Sequence, residues 1–299
     1  MIREKQYRYS EIFGETFQGE GNHTGKNTLW LRWFGCNKTC YLFGQDKENP
    51  VPKKEMYYET IDITNITDIQ QLPIQNMGCD SYHSWHPRYR HLAHKDTAKD
   101  LAQKLIDLNK NEHNPEGLFI HPKSGQDIHL CFTGGESMMA QDGIIDVLNA
   151  LISVGNYPKN VTIESNGTVN LRSHQDWTNM FNQDITLFWS ISPKLESVSG
   201  EAWDKSICPD TLYGYKQIVD NGQLKFVCDN SDESWEEIEK AILEYQQRGV
   251  TWPIWIMPEG AEQSAQSRHD ADIAVEAVKR GYYFASRVHA TVFGAVAGK

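Results

Sequence analysis

The run Leu29-Trp30-Leu31-Arg32-Trp33-Phe34-Gly35-Cys36-Asn37-Lys38-Thr39-Cys40 decides the reading of this chain. Its apolar half reads as a strand and its polar half as a loop holding two cysteines separated by three residues. Thiolates offered from one tight loop on a rigid strand can converge on a metal or an iron–sulfur cluster. A third thiolate is available in Cys79-Asp80-Ser81. Three thiolates would leave one iron of a four-iron cluster without a protein ligand, and an open iron can bind and reduce a second molecule.

The chain's 299 residues, 39% of them hydrophobic, suffice for one large core, and one domain (1–299) with an inserted segment at about 41–78 is expected. A formal net charge of -11 argues against a general nucleic-acid surface, which needs clustered Lys and Arg. A small-molecule substrate is expected instead. No apolar run of about 18 residues is present to span a membrane, and Met1-Ile2-Arg3-Glu4-Lys5-Gln6 leads into no apolar signal region, so a soluble, cytoplasmic chain is expected. In that setting its six cysteines read as metal ligands or buried thiols rather than three disulfides.

Ahead of the cysteine loop, Gln18-Gly19-Glu20-Gly21-Asn22-His23-Thr24-Gly25 is glycine-rich enough to let backbone approach a ligand, with Gln18 and Glu20 able to read the hydrogen-bonding edge of a planar heterocycle. It also reads simply as a hairpin turn. Residues 28–34 read as the first strand, and Arg32 within it faces either solvent or an anionic partner. The long connection from Cys40 to Cys79 contains no cysteine. It reads as a surface excursion with a short hairpin or edge strand where residues 57–63 alternate, so shortening 45–74 is expected to leave the site intact.

Downstream, a helix from Asp96 to about Asn109 is capped by Asp96 or Thr97. Strands then end in turn-forming residues four more times: Thr133-Gly134-Gly135-Glu136, Glu164-Ser165-Asn166-Gly167, Ser192-Pro193-Lys194 and Pro258-Glu259-Gly260, with a further strand 224–228 before Asp229. Helical stretches near 138–154, 173–182, 211–219, 232–248 and 262–280 separate them. This alternation predicts an α/β fold, a parallel β/α barrel or a partial (open) one, whose site lies at the strands' C-terminal ends. Cys131 and Cys228 read as core, and Cys208 is uninformative.

Taken together, Glu11-Ile12-Phe13, Gln18 to Gly21, Arg32 with Gly35-Cys36-Asn37 and Cys40, Cys79-Asp80-Ser81 with Trp85, the Gly-Gly-Glu loop, Glu164 to Thr168, Ser192-Pro193-Lys194 and His289 with Phe293-Gly294 resemble the 7-carboxy-7-deazaguanine synthases, a family of radical S-adenosylmethionine enzymes. The resemblance implies a lyase of deazapurine and queuosine biosynthesis that contracts 6-carboxy-5,6,7,8-tetrahydropterin to 7-carboxy-7-deazaguanine with loss of ammonia. It implies a 4Fe-4S cluster on Cys36, Cys40 and Cys79, S-adenosylmethionine held by Gly134, Gly135, Glu136, Glu164, Ser192 and Lys194, and substrate held by Gln18, Glu20, Arg32 and His289. It also implies Mg²⁺ at Ser81, an electron donor such as flavodoxin or ferredoxin, and a homodimer. The chain departs from the pattern at Phe43, where the family commonly has its third cysteine, and at Ser81, Ser137 and Phe293, where threonine, proline and tryptophan are usual.

Two other classes share parts of this sequence. An activating enzyme for a glycyl-radical protein would use the cysteine and Gly-Gly-Glu loops but has no reason for the Gln18–Gly21 motif. A structural zinc protein would use Cys36, Cys40, Cys79 and a histidine such as His83.

Overall fold

Nine strands form among the residues that the computed structural model describes, 4–73, 75, 77–181, 184–260 and 269–294. They are β1 (Gln6–Phe17), β2 (Asn27–Trp33), β3 (His94–Thr97), β4 (His129–Gly134), β5 (Asn160–Ser165), β6 (Thr186–Ile191), β7 (Gly222–Cys228), β8 (Ile254–Pro258) and β9 (Tyr283–Phe284). All join one sheet in the order β3-β1-β2-β4-β5-β6-β7-β8-β9. From β2 onward every pairing is parallel, while β1 runs antiparallel to β2 and to β3. Since β3 and β9 are not paired with each other, the sheet is an open barrel, as the alternation of strand and helix predicts.

Side chains alternate across a strand, so each strand sends one set outward and the other inward. The outward set, with Leu29, Leu31, Trp33, Leu130, Phe132, Val161, Ile163, Leu187, Trp189, Ile191, Leu224 and Phe226, is apolar and buried under the helices. The opposite set includes Arg32, Thr133, Glu164, Ser190, Ser192 and Lys225, and it lines a cavity. Burial of the first set against helices Gln141–Ser153, Pro209–Ile218 and Asp232–Gln247 holds the sheet. The second set is left free for chemistry.

Several local expectations need correction. Residues 28–34 are not the first strand: β1 precedes them, and residues 18–26 join β1 to β2 as a hairpin loop. The alternating residues 57–63 form a helical turn, Tyr57–Thr60, rather than a strand. Thr97 caps helix Ala98–Leu108 through a capping box with Asp100, while Asp96 belongs to β3. Of the helix expected near 262–280, Asp270–Lys279 forms, and 262–268 lie outside the described residues, as does 182 at the end of helix His174–Phe181.

The hairpin loop also fills the barrel from below. The His23 ring lies 4.2 Å from that of Phe188 and edge-on to His129 at 5.1 Å, and its Nδ1 is 3.3 Å from Thr162 Oγ1. His129 Nε2 is in turn 3.1 Å from Asp127 Oδ2. Burial first, then the neighbouring His129 and Lys26, lowers the His23 pKa to about 4. The fold therefore favours neutral His23, and the unfolded chain, titrating near 6.5, takes up more protons below that pH. This stabilisation is complete above the unfolded value and is lost as the pH falls toward about 4. The melting temperature is expected to drop by several degrees more in the parent than in His23→Gln between neutral and mildly acidic buffer, measured by calorimetry; parallel pH profiles would refute it.

Candidate active site

A cavity of about 350 Å³ opens at the C-terminal ends of the parallel strands, and its wall includes Cys36, Cys40 and Cys79. Strand β2 delivers the first two, and the third returns by an unexpected route. The Gly78 N–H donates to the Phe43 carbonyl at 2.7 Å, so the chain leaves at 44 and comes back beside the same point immediately before Cys79. A thiol distant in sequence thus joins the loop. Between these ends, Met56, Tyr58, Ile69 and Leu72 pack with Tyr82, Tyr89 and Leu92 into a small second core.

That segment is not the surface excursion expected from its composition, because Phe43, Gly44, Ile69, Leu72, Pro73 and Gly78 line the cavity. With Phe13 and Trp30, whose rings stack at 5.5 Å, they make its apolar wall. Replacing 45–74 by a short Gly/Ser linker, harmless on the sequence reading, is now expected to lower the iron retained after reconstitution at least twofold. Iron per chain beside a melting curve checks this, and full retention would mean that the wall is dispensable.

All six cysteines are free thiols. Burial pushes the Cys36 thiol up to about 12, with the neighbouring Cys79 adding to it; burial likewise raises Cys40 and Cys79. Lys194 opposes the rise at Cys36 and Cys40. Thiols become thiolates when they coordinate a cation, and three sulfur donors on one wall suit an iron–sulfur cluster or zinc. Around it, Gly135 packs so closely on the Gly35 carbonyl and Cys36 Cβ that any side chain there would clash. Asn37 ties the loop to the β5 end, accepting from Asn166 Nδ2 at 2.9 Å and donating to Thr168 Oγ1 at 2.8 Å.

Among the described residues, no group of three or more His, Cys, Asp or Glu is placed to hold a single metal ion. His83, the candidate fourth zinc ligand, has its Nε2 3.8 Å from Glu11 Oε1.

Gly134, Gly135, Glu164, Ser192 and Lys194 all line the cavity. Lys194 Nζ donates to Ser192 Oγ at 3.1 Å, and Glu164 accepts from Thr133 Oγ1 at 2.8 Å and Gln18 Nε2 at 3.3 Å. Glu136 is placed differently. It is buried behind the wall, where one carboxylate oxygen accepts from Met138 N and Ser165 Oγ and the other from Asn166 N at 2.7 Å. Its placement locks the β4 and β5 loops together.

Gln18, Glu20, Arg32, Ser81 and His289 line the same cavity. Arg32 Nε donates to Glu11 Oε1 at 2.6 Å, directly across the β1–β2 register. Glu20 is buried between two cations: Lys225 meets one oxygen, and Arg287 Nε lies 3.0 Å from the other. Burial alone would raise its pKa, but Lys225 and then Arg287 outweigh that and hold it well below the carboxylate range. Arg287 also reaches Asp80 Oδ2 at 3.2 Å, linking the residue after Cys79 to the Glu20 loop. His289 lies against Gly19, where a Cβ would overlap its ring. Ser81 Oγ is 3.4 Å from Cys79 Sγ.

Glu11, Lys225, Arg287 and Glu259 are the members that sequence reasoning missed. Lys225 had a signal, a lysine inside an apolar strand, since a buried ammonium demands a partner. Arg287 follows a two-residue strand and had none. Glu259 lines the cavity and accepts from Gly44 N at 2.8 Å, with burial pushing its carboxyl up to about 7.

No protein-family model matches the chain. A 7-carboxy-7-deazaguanine synthase of Rhodopirellula baltica is 25% identical to it over 299 residues, covering 95% of this chain and 87% of that protein. The chain is similar to the 7-carboxy-7-deazaguanine synthases. A second such protein, from Halobacterium salinarum, is also 25% identical, over 95% of this chain and 89% of its own length. The crystal structure of QueE from Escherichia coli shares the fold, with a TM-score of 0.53 at 16% identity and 95% coverage of each chain. The likeness extends over nearly the whole chain, and it is to the family that the motifs resemble.

Proposed function

We propose that this chain is a 7-carboxy-7-deazaguanine synthase, contracting 6-carboxy-5,6,7,8-tetrahydropterin with release of ammonia. The observation that carries the reading is the return of Cys79 beside Phe43, which brings three thiols to the wall of a cavity that Arg32, Gln18 and Glu20 also line. Cys36, Cys40 and Cys79 would hold a 4Fe-4S cluster, and Gly134, Gly135, Glu164, Ser192 and Lys194 would hold S-adenosylmethionine, with Glu136 bracing that wall. When bound, cluster and S-adenosylmethionine supply the radical that starts the reaction. The remaining tasks fall to the chain itself.

Arg32 would receive the substrate carboxylate, since Glu11 takes its Nε hydrogen and among the described residues no hydrogen bond takes its two terminal nitrogens. Gln18 and Glu20 would meet the amide and amine edge of the pterin. Both are already oriented, Gln18 by Glu164 and the Glu20 N–H, and Glu20 by its two cations, so little freedom remains to be lost on binding. Phe13, Trp30, Ile69 and Leu72 would make the cavity wall apolar and limit water around the substrate. His289 would close the substrate side against Gly19. Lys194 places a cation where thiolate charge would accumulate.

Ser81 offers a hydroxyl for Mg²⁺, which takes oxygen ligands and keeps several waters, the rest coming from substrate. A cytoplasmic setting, an electron donor of the flavodoxin or ferredoxin kind and a homodimer complete the reading, and these rest on the resemblance. Among the described residues no helix is long and apolar enough to cross a membrane. Anaerobic reconstitution followed by an assay with the carboxytetrahydropterin, with and without Mg²⁺, tests the reaction. A reconstituted, brown, folded protein that leaves this substrate unchanged would overturn it.

A further inference from the structure

Residues 195–206 lie between β6 and helix Pro209–Ile218, in a region largely outside the family resemblance, and they meet the cysteine loop. Glu201 makes the central contact. Its Oε1 accepts from Thr39 N at 2.7 Å, from Cys40 N at 2.8 Å and from Thr39 Oγ1 at 2.9 Å. Two further ties flank it: Lys38 is buried with its Nζ donating to the Lys205 carbonyl at 2.6 Å and to Ser206 Oγ at 3.2 Å, and Leu42 N donates to the Ser199 carbonyl at 3.3 Å. Residues 38, 39, 40 and 42 are therefore all fastened to one segment.

The loop needs such fastening. Cys40 has φ +47°, in the left-handed region that disfavours a non-glycine residue and persists only where its surroundings impose it. Cys40 N is one of the groups that Glu201 binds. Moreover, the loop contributes only two of the three thiols, so the third, arriving from Cys79, cannot fix the conformation of residues 37–42 through short chain connectivity. All three groups that reach Glu201 Oε1 are donors, the arrangement suited to an ionised carboxylate.

We propose that Glu201 is a positioning residue for the cluster, fixing the backbone of Thr39 and Cys40 so that the Cys40 thiolate points to the iron, and placing a negative charge beside it. The inference rests on the cluster assignment made above. Its charge has a consequence that pure scaffolding lacks: a carboxylate near the cluster disfavours the added electron and so lowers the reduction potential.

The test uses the full chain, reconstituted anaerobically with iron and sulfide, in the parent, Glu201→Ala and Glu201→Gln. Iron per chain, the electron paramagnetic resonance line shape of the reduced cluster and the midpoint potential are read in each. Glu201→Ala is expected to hold at least twofold less iron. Glu201→Gln keeps an oxygen acceptor for the same donors and is expected to hold nearly the parent's iron at a more positive midpoint. If the parent takes up no cluster, the underlying assignment fails. If the parent loads but the alanine variant matches it in iron, line shape and midpoint, the positioning role is wrong. Should the alanine variant not fold, the glutamine variant decides alone, and a line shape and midpoint equal to the parent's overturn the proposal.

Discussion

Single replacement of Cys36, Cys40 or Cys79 by alanine is expected to abolish the brown absorbance of the reconstituted protein, while Cys131, Cys208 and Cys228 can each be replaced without losing it. The contrast follows from placement. The first three line the cavity, whereas Cys131 and Cys228 are fully buried within β4 and β7, and Cys208, just before helix Pro209–Ile218, is not among the lining residues. A cluster left with two protein thiolates also has two open irons, which water and oxygen attack. Iron and sulfide analysis of each variant measures the outcome, with a melting curve to show that the chain still folds. Cys79→Ala is the most telling, because Cys79 owes its place to the Gly78–Phe43 bond and not to sequence proximity. A full four-iron complement in that variant would move the third ligand elsewhere.

What could be read in the sequence was whatever a strand end imposes locally. Gly134-Gly135, Ser192 and Lys194 stand immediately after apolar runs, and parallel strands present such residues at one end of the barrel. Arg32 was legible as a residue needing an anion, though not as a partner of Glu11, because that pairing depends on the antiparallel register of a strand, β1, whose aromatic and polar residues do not alternate cleanly. The segment from 44 to 77 misled for a related reason. Its prolines and charges suggest a surface excursion, yet spaced single residues, Met56, Tyr58, Ile69 and Leu72, are enough to build a small core against the turn at 82–92. Glu136 is the reverse case, a motif residue whose carboxylate is taken by the Met138 and Asn166 N–H groups and the Ser165 hydroxyl. Lys225 and Arg287 come from opposite ends of the final third of the fold and converge on Glu20 only in three dimensions.

Arg32→Lys is expected to weaken binding of the carboxytetrahydropterin by roughly one to three powers of ten, while S-adenosylmethionine binds nearly as in the parent. The guanidinium is held by its Nε hydrogen bond to Glu11 at 2.6 Å and lies over the Phe13 ring at 5.5 Å. That arrangement presents the rest of a planar fork to a carboxylate. Lysine keeps the charge, and so keeps a partner for buried Glu11, but it cannot hold Glu11 and a second carboxylate in one plane. Losing a desolvated, bidentate charged pair costs about 2–5 kcal/mol, and about 1.4 kcal/mol corresponds to each factor of ten. Removing the charge altogether, as in Arg32→Met, is the poorer experiment, since an unpaired buried Glu11 would itself destabilise the fold by about 3–5 kcal/mol. Calorimetric titration of the anaerobically reconstituted protein with each ligand in turn separates the two sides of the cavity, because the residues assigned to S-adenosylmethionine lie on the β4, β5 and β6 ends and Arg32 on β2. If Arg32→Lys bound the pterin as tightly as the parent, or lost S-adenosylmethionine instead, the guanidinium would serve only to neutralise Glu11, and the carboxylate receptor would have to be sought at Arg287.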